Sequence, residues 1–229
     1  NTYRGILTGY NKAFIIDKET KDRLIAKSSK NAEIIRPILR GRDIKRYRAD
    51  FADLWIINSH NGYGNIPAVN IEDYPDIKVH LDCYIADLQK RKDKGITPYN
   101  LRSCIYMEDF SKQKIVWGEI SDKSKFALDE MGMYPEATTF LMTGNNLKFL
   151  LAILNSKLGE WSFNQIGTRT GMGTNRWKKY TLESLVVKTP TSEEKTQIEI
   201  LVTKIIHEPS KENITALDNA IYQLYQLTD

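Results

Sequence analysis

Arg36-Pro37-Ile38-Leu39-Arg40-Gly41-Arg42-Asp43-Ile44-Lys45-Arg46-Tyr47-Arg48 packs six cations against one acid, Asp43. Repulsion within such a run is costly unless an anion neutralises it. Nucleic-acid phosphates do so with a gain from counterion release. A charge run can equally be a solvated surface, so the rest of the chain has to decide between the two.

Working outward, residues 1–50 hold 13 Lys/Arg and 6 Asp/Glu, a balance of +7. Residues 159–180 hold Arg169, Arg176, Lys178 and Lys179 against Glu160. Residues 190–229 reverse the sign, with 3 Lys and 7 acids. The overall net charge of +4 hides this asymmetry. A basic body with an acidic tail implies one face for a polyanion and another for a different partner.

The 229 residues suffice for one substantial core, or for one domain with an appendage. Apolar runs such as Ile198-Glu199-Ile200-Leu201-Val202 are too short and interrupted for a membrane-spanning helix. The chain opens at Asn1 in a strand-like pattern, without methionine or signal peptide, and reads as a segment of a longer polypeptide. Cys83 and Cys104 make neither a disulfide framework nor a zinc site, and His60, His80 and His207 lie far apart. A reducing cytoplasm is the simplest setting for two free thiols.

The N-terminal residues 2–16 read as extended structure with a turn at 8–11, ending in Ala13-Phe14-Ile15-Ile16. Asp17 can cap a short helix over 18–27. Leu54-Trp55-Ile56-Ile57 centres a buried strand, and residues 58–70 are loop. Ile77, Leu81, Ile85 and Leu88 share one face of a helix starting near Pro75. Strands are expected over 114–120, 124–128 and 137–143, a helix over 145–161, a flexible loop over 167–173 and a last strand over 182–188. Thr191 with Glu194 makes a capping box ahead of one amphipathic helix, and a second helix starts near Lys211. The pair suggests a hairpin that packs on a partner.

No catalytic motif stands out. Gly171-Met172-Gly173 lacks the context of a phosphate loop, and there is no nucleophile elbow. Glu-x-Lys pairs at Glu19/Lys21 and Glu193/Lys195 fall on expected helices rather than adjacent strands. Asp122, Asp129 and Glu130 read as solvated turn carboxylates, with a cluster at strand ends as the alternative. Beside the basic blocks, this favours a binding module over an enzyme.

Several blocks together resemble a known family. Gly5-Ile6-Leu7-Thr8-Gly9-Tyr10-Asn11-Lys12-Ala13-Phe14, followed by Pro37 to Tyr47, is similar to the TaqI-like C-terminal specificity domain. So are Lys114-Ile115-Val116-Trp117-Gly118-Glu119-Ile120, Phe126-Ala127-Leu128-Asp129 and Leu150-Leu151-Ala152-Ile153-Leu154-Asn155-Ser156-Lys157-Leu158. The end, Ala220 to Thr228, fits as well. The Leu-Asn-Ser block is shared more widely, with type I specificity subunits. The resemblance implies an α+β fold: a mixed-sheet DNA target-recognition domain over 1–190, then a helical docking segment over 191–229. It implies a bacterial or archaeal type IIG-like restriction–modification enzyme or adenine-N6 DNA methyltransferase as the parent. The methyltransferase or nuclease domains of that polypeptide, with S-adenosylmethionine and Mg, would lie elsewhere; this segment carries no cofactor of its own.

Phosphate contacts set register and base-edge contacts set sequence. Arg40, Arg42, Lys45, Arg46, Lys178 and Lys179 are the phosphate candidates, in two blocks. Arg42 has a structural alternative as the partner of Asp43, and Tyr47 reads as core. Arg169, Asn175 and Arg176 are the base-reading candidates, since Arg to guanine and Asn to adenine are favoured bidentate pairs. Their neighbouring glycines can equally be simple turn residues. Asn61, Asn65, Asn100 and Arg102 follow in rank. Two other readings stay open: a metal-dependent nuclease assembled only in three dimensions, and a module that meets protein or RNA through residues 36–48.

Overall fold

The computed structural model describes residues 1–170 and 173–227. Strand β1 (Thr2–Arg4) leads through a turn to one helical turn, α1 (Asn11–Phe14), and strand β2 (Ile15–Asp17). The expected extended run through residues 13–16 is thus half helical, because fully buried Ala13 and Phe14 close α1 on the core. Asp17 caps α2 (Lys18–Lys27) by accepting from the Thr20 N–H, as its sequence predicts. The basic segment spans β3 (Ile35–Leu39), a 3-10 turn at Gly41–Asp43, β4 (Ile44–Lys45) and β5 (Arg48–Ala49). After β6 (Leu54–Ile57), the Ile77 stripe forms two helices, α3 (Pro75–Asp82) and α4 (Ile85–Lys90). The break falls where the Tyr84 N–H turns back to the Leu81 carbonyl.

Strands β7 (Lys114–Gly118), β8 (Ile120–Ser121), β9 (Phe126–Asp129), β10 (Tyr134–Pro135) and β11 (Thr139–Met142) follow. The helix expected over 145–161 is two, α5 (Leu147–Asn155) and α6 (Lys157–Ile166), because Ser156 leaves helical geometry to cap α6. A ribbon of β12 (Thr168–Arg169) and β13 (Asn175–Arg176) precedes α7 (Lys179–Glu183). The expected loop over 167–173 is largely this ribbon's tip; Gly171 and Met172 lie outside the described residues. No strand forms over 182–188. Val186 there is 85% exposed, with no face to bury, and the Tyr225 hydroxyl accepts from the Lys188 N–H and donates to the Val186 carbonyl. Helices α8 (Ser192–His207), with its capping box, and α9 (Lys211–Leu224) end the fold. Among the described residues no helix is long and apolar enough to cross a membrane.

The arrangement is α+β with mixed sheets. An antiparallel sheet, ordered β1-β11-β7-β9, lies between two cores. Strand alternation divides its side chains: Val116, Ala127 and Leu141 enter one core, and Ile115, Trp117 and Phe126 the other. Buried on both faces, the Ile115-Val116-Trp117 centre of β7 therefore reads as an uninterrupted apolar run. The first core is completed by a second sheet, β10-β3-β6-β2, with β10 parallel to β3, and by α2, α3 and α4. The second core is completed by α5, α6, α8 and α9, with Ile198, Val202, Leu217 and Ile221 all buried in it. The boundary between residues 190 and 191 thus crosses a shared core.

Candidate nucleic-acid interface

The basic segment is presented by a hairpin whose tip is buried. Tyr47, between β4 and β5, is 4% exposed and takes a positive φ of 67°. Its N–H donates to the Phe126 carbonyl, 2.8 Å away, and burial pushes its phenol pKa well above the ordinary value. With Tyr47 turned into the second core, Lys45 and Arg48 point to solvent. Arg46 is half-buried: its guanidinium donates to the Asn155 carbonyl and lies over the Tyr47 ring. Asn155 is itself pinned, accepting from the Phe126 N–H (3.1 Å) and donating to the Phe126 carbonyl (2.9 Å). Asn155 is a positioning residue that the sequence reading left unassigned, although the Leu-Asn-Ser block contained it.

Asp43 pairs with Arg40, not Arg42. The contact is bidentate, at 2.6 Å to Nε and 3.0 Å to Nη2, and fixes the turn between β3 and β4. Arg42 is exposed and has no side-chain partner among the described residues. Lys45 donates to the Arg42 carbonyl, 2.7 Å away. Arg36 is occupied by the carbonyls of Ala32, Glu33 and Ile35.

The second basic block is tied to the sheet by Trp177. This side chain is 2% exposed and stacks on Phe163 at 3.8 Å between ring centroids. Its carbonyl accepts from Trp117 Nε1, and its N–H donates to the Glu119 carbonyl. These contacts place β13 antiparallel beside β8, with Asn175 opposite Ser121 and Arg176 opposite Ile120. Arg169 is exposed and free of side-chain partners among the described residues. Asn175 is buried, donating to Asn164 Oδ1 at 2.7 Å. Arg176 approaches Glu119 at 3.9 Å, and Arg4 reaches the same carboxylate at 3.8 Å. Lys178 lies over the Tyr180 ring, and Lys179 pairs with Glu183.

The first block lines a cleft of about 510 Å³, to which the segment before β13 contributes Thr174. Arg42, Lys45, Ser121, Asp122, Lys125 and Thr174 are among its lining residues. Gly41 and Gly118 also line it and lie close together: a Cβ on Gly118 would stand 3.7 Å from the Gly41 Cα. Arg40, Arg169, Asn175, Arg176, Lys178 and Lys179 do not line it. Beyond Thr138 and Ala137 the cleft adjoins a groove that carries Arg4 and Arg102.

Other candidates serve the fold. Asn100 is buried and donates to the His60 and Val69 carbonyls. Asn61 bridges Ser103 and the Ile96 N–H. Asp129, read as solvated, is fully buried against Lys114 at 2.5 Å, because β7 and β9 place the two opposite each other. Desolvation lowers the Lys114 pKa despite this partner. No group of three or more His, Cys, Asp or Glu able to hold a metal occurs among the described residues.

Residues 36–187 match the sequence model of the TaqI-like C-terminal specificity domain. The chain belongs to this family. The match takes in the basic hairpin, the cleft strands, the Leu-Asn-Ser block and the ribbon of this specificity domain; residues 5–14 and 220–228 lie outside it. Two solved structures share its fold. The type IIL restriction–modification enzyme MmeI, solved in complex with DNA, superposes with a TM-score of 0.72 at 12% identity over 100% of this chain and 33% of that one. The type IIG restriction endonuclease BpuSI does so with 0.52 at 12% identity over 99% and 30%. The specificity domain therefore spans a minor part of either protein. No curated protein matches its sequence.

Proposed function

We propose that this chain recognises a specific sequence in duplex DNA, as the specificity part of a restriction–modification enzyme. The observation that carries this reading is a cleft lined by Arg42 and Lys45 of the basic hairpin, with Thr174 beside the ribbon, in a chain of the specificity-domain family. Arg42, Lys45, Arg46, Lys178 and Lys179 contact phosphates, and Arg40 orders the turn that presents Arg42. Arg169 and Arg176 read base edges. Asn175 does so only if it releases Asn164. A methyltransferase or nuclease part then acts on the presented site, with S-adenosylmethionine and Mg belonging to that part.

Selection from a randomised duplex pool at low salt tests the proposal: a short enriched motif is expected. Arg42→Ala should weaken binding to every sequence alike and reduce the salt slope by about 1. Arg169→Ala should relax preference at one position, at a cost of about 1–3 kcal/mol. Retention without any enriched motif would overturn sequence reading by this chain alone. Equal losses on cognate and random DNA for both variants would overturn the sorting of roles.

A further inference from the structure

A second cleft of about 300 Å³ adjoins the first, sharing Lys45 and Lys125 with it. Its other cations are Arg46, Lys123 and Lys157, and its one carboxylate is Glu160. That carboxylate is already engaged: one oxygen accepts from both the N–H (2.8 Å) and the hydroxyl (2.9 Å) of Ser124. Lys125 pairs with Asp122, and Lys157 has only a distant contact to the Asp218 carboxylate at 3.8 Å. Lys123 has no ion-pair partner among the described residues, and Arg46 Nε is buried without a hydrogen-bond partner. Cations from the hairpin, from the turn before β9 and from the start of α6 thus face one small space, with little protein charge to neutralise them.

We propose that this cleft seats a backbone phosphate of the bound duplex, held by Lys123, Lys157 and Arg46. The inference rests on the duplex-binding reading and deepens it, since the seat lies beside the cleft that Arg42 and Lys45 line. A phosphodiester brings one delocalised negative charge and oxygens able to accept from several donors at once. It therefore suits a cluster in which a guanidinium is fixed and two ammonium groups are free to close on it. Because the seat touches only phosphate, it contributes affinity and register but no sequence preference.

The test uses the whole chain and a random-sequence duplex, with affinity measured across a range of salt concentrations. Lys123→Ala/Lys157→Ala should weaken binding to all sequences and flatten the log–log salt slope by about 1–2. Lys123→Arg/Lys157→Arg should restore the slope. Lys18→Ala/Lys92→Ala, at exposed lysines outside both clefts, should leave it unchanged. All four lysines are surface residues, and equal unfolding midpoints confirm intact folds. A wild-type slope in the Lys123→Ala/Lys157→Ala variant would overturn the seat while leaving duplex binding intact. A change in the selected motif would also overturn it, because a phosphate contact carries no base preference. Failure of the unmodified chain to bind duplex at any salt would overturn both readings.

Discussion

Lys114 and Asp129 are each 0% exposed and face each other across β7 and β9. Lys114 also donates to the Phe110 carbonyl, and Asp129 accepts from the Met131 N–H. Two buried charges of this kind are tolerable only together. Lys114→Met strands the Asp129 carboxylate and should cost about 3–5 kcal/mol, read as a fall in the denaturant midpoint. Combining it with Asp129→Leu should recover most of that loss, whereas additive losses would show that the pair is not coupled. The pair was invisible in sequence because charge and turn propensity say nothing about which strand lies opposite. The same holds for Asp43, whose partner is Arg40 at i−3 rather than the adjacent Arg42. Local chemistry was legible where both partners are close: Asp17 caps α2, and Thr191 with Glu194 boxes α8.

At the scale of elements, the break between α5 and α6 is built from Ser156 and Gly159. Ser156 Oγ accepts from the Gly159 N–H and donates to the Ile153 carbonyl. A Cβ on Gly159 would fall 1.9 Å from that same carbonyl oxygen, a backbone atom that cannot swing aside. Gly159→Ala should therefore destabilise the chain by about 1–3 kcal/mol, measured by thermal or denaturant unfolding; an unchanged midpoint would mean the turn relaxes freely. Apolar periodicity alone ran one helix through this break, since it registers the buried stripe and not the cap interrupting it. The failed strand at 182–188 has the opposite cause. Leu182 is taken into α7, and of the apolar residues that follow, Val186 has its carbonyl bonded by the Tyr225 hydroxyl, which also accepts from the Lys188 N–H, rather than by a neighbouring strand.

At the scale of the whole molecule, α8 and α9 close the second core over α5 and α6. Removing residues 191–229 would withdraw Ile198, Val202, Ile205, Leu217, Ile221 and Leu224 from burial. At about 1.5–3 kcal/mol per buried apolar side chain, the loss rivals a typical domain stability of about 5–15 kcal/mol. Truncation after Pro190 should thus abolish cooperative unfolding, as followed by circular dichroism; a cooperative melt would show that residues 1–190 fold alone. The sequence by itself determined the basic segments, the caps, most of the helices and the family, because these rest on residues close together in the chain. Tertiary structure alone decided which cations of the hairpin line the cleft, that Asn155 and Trp177 anchor the hairpin and the ribbon to the sheet, and that the tail packs into the second core. Those outcomes depend on strand register and side-chain packing between residues tens of positions apart, and local pattern does not encode which distant partner will be met.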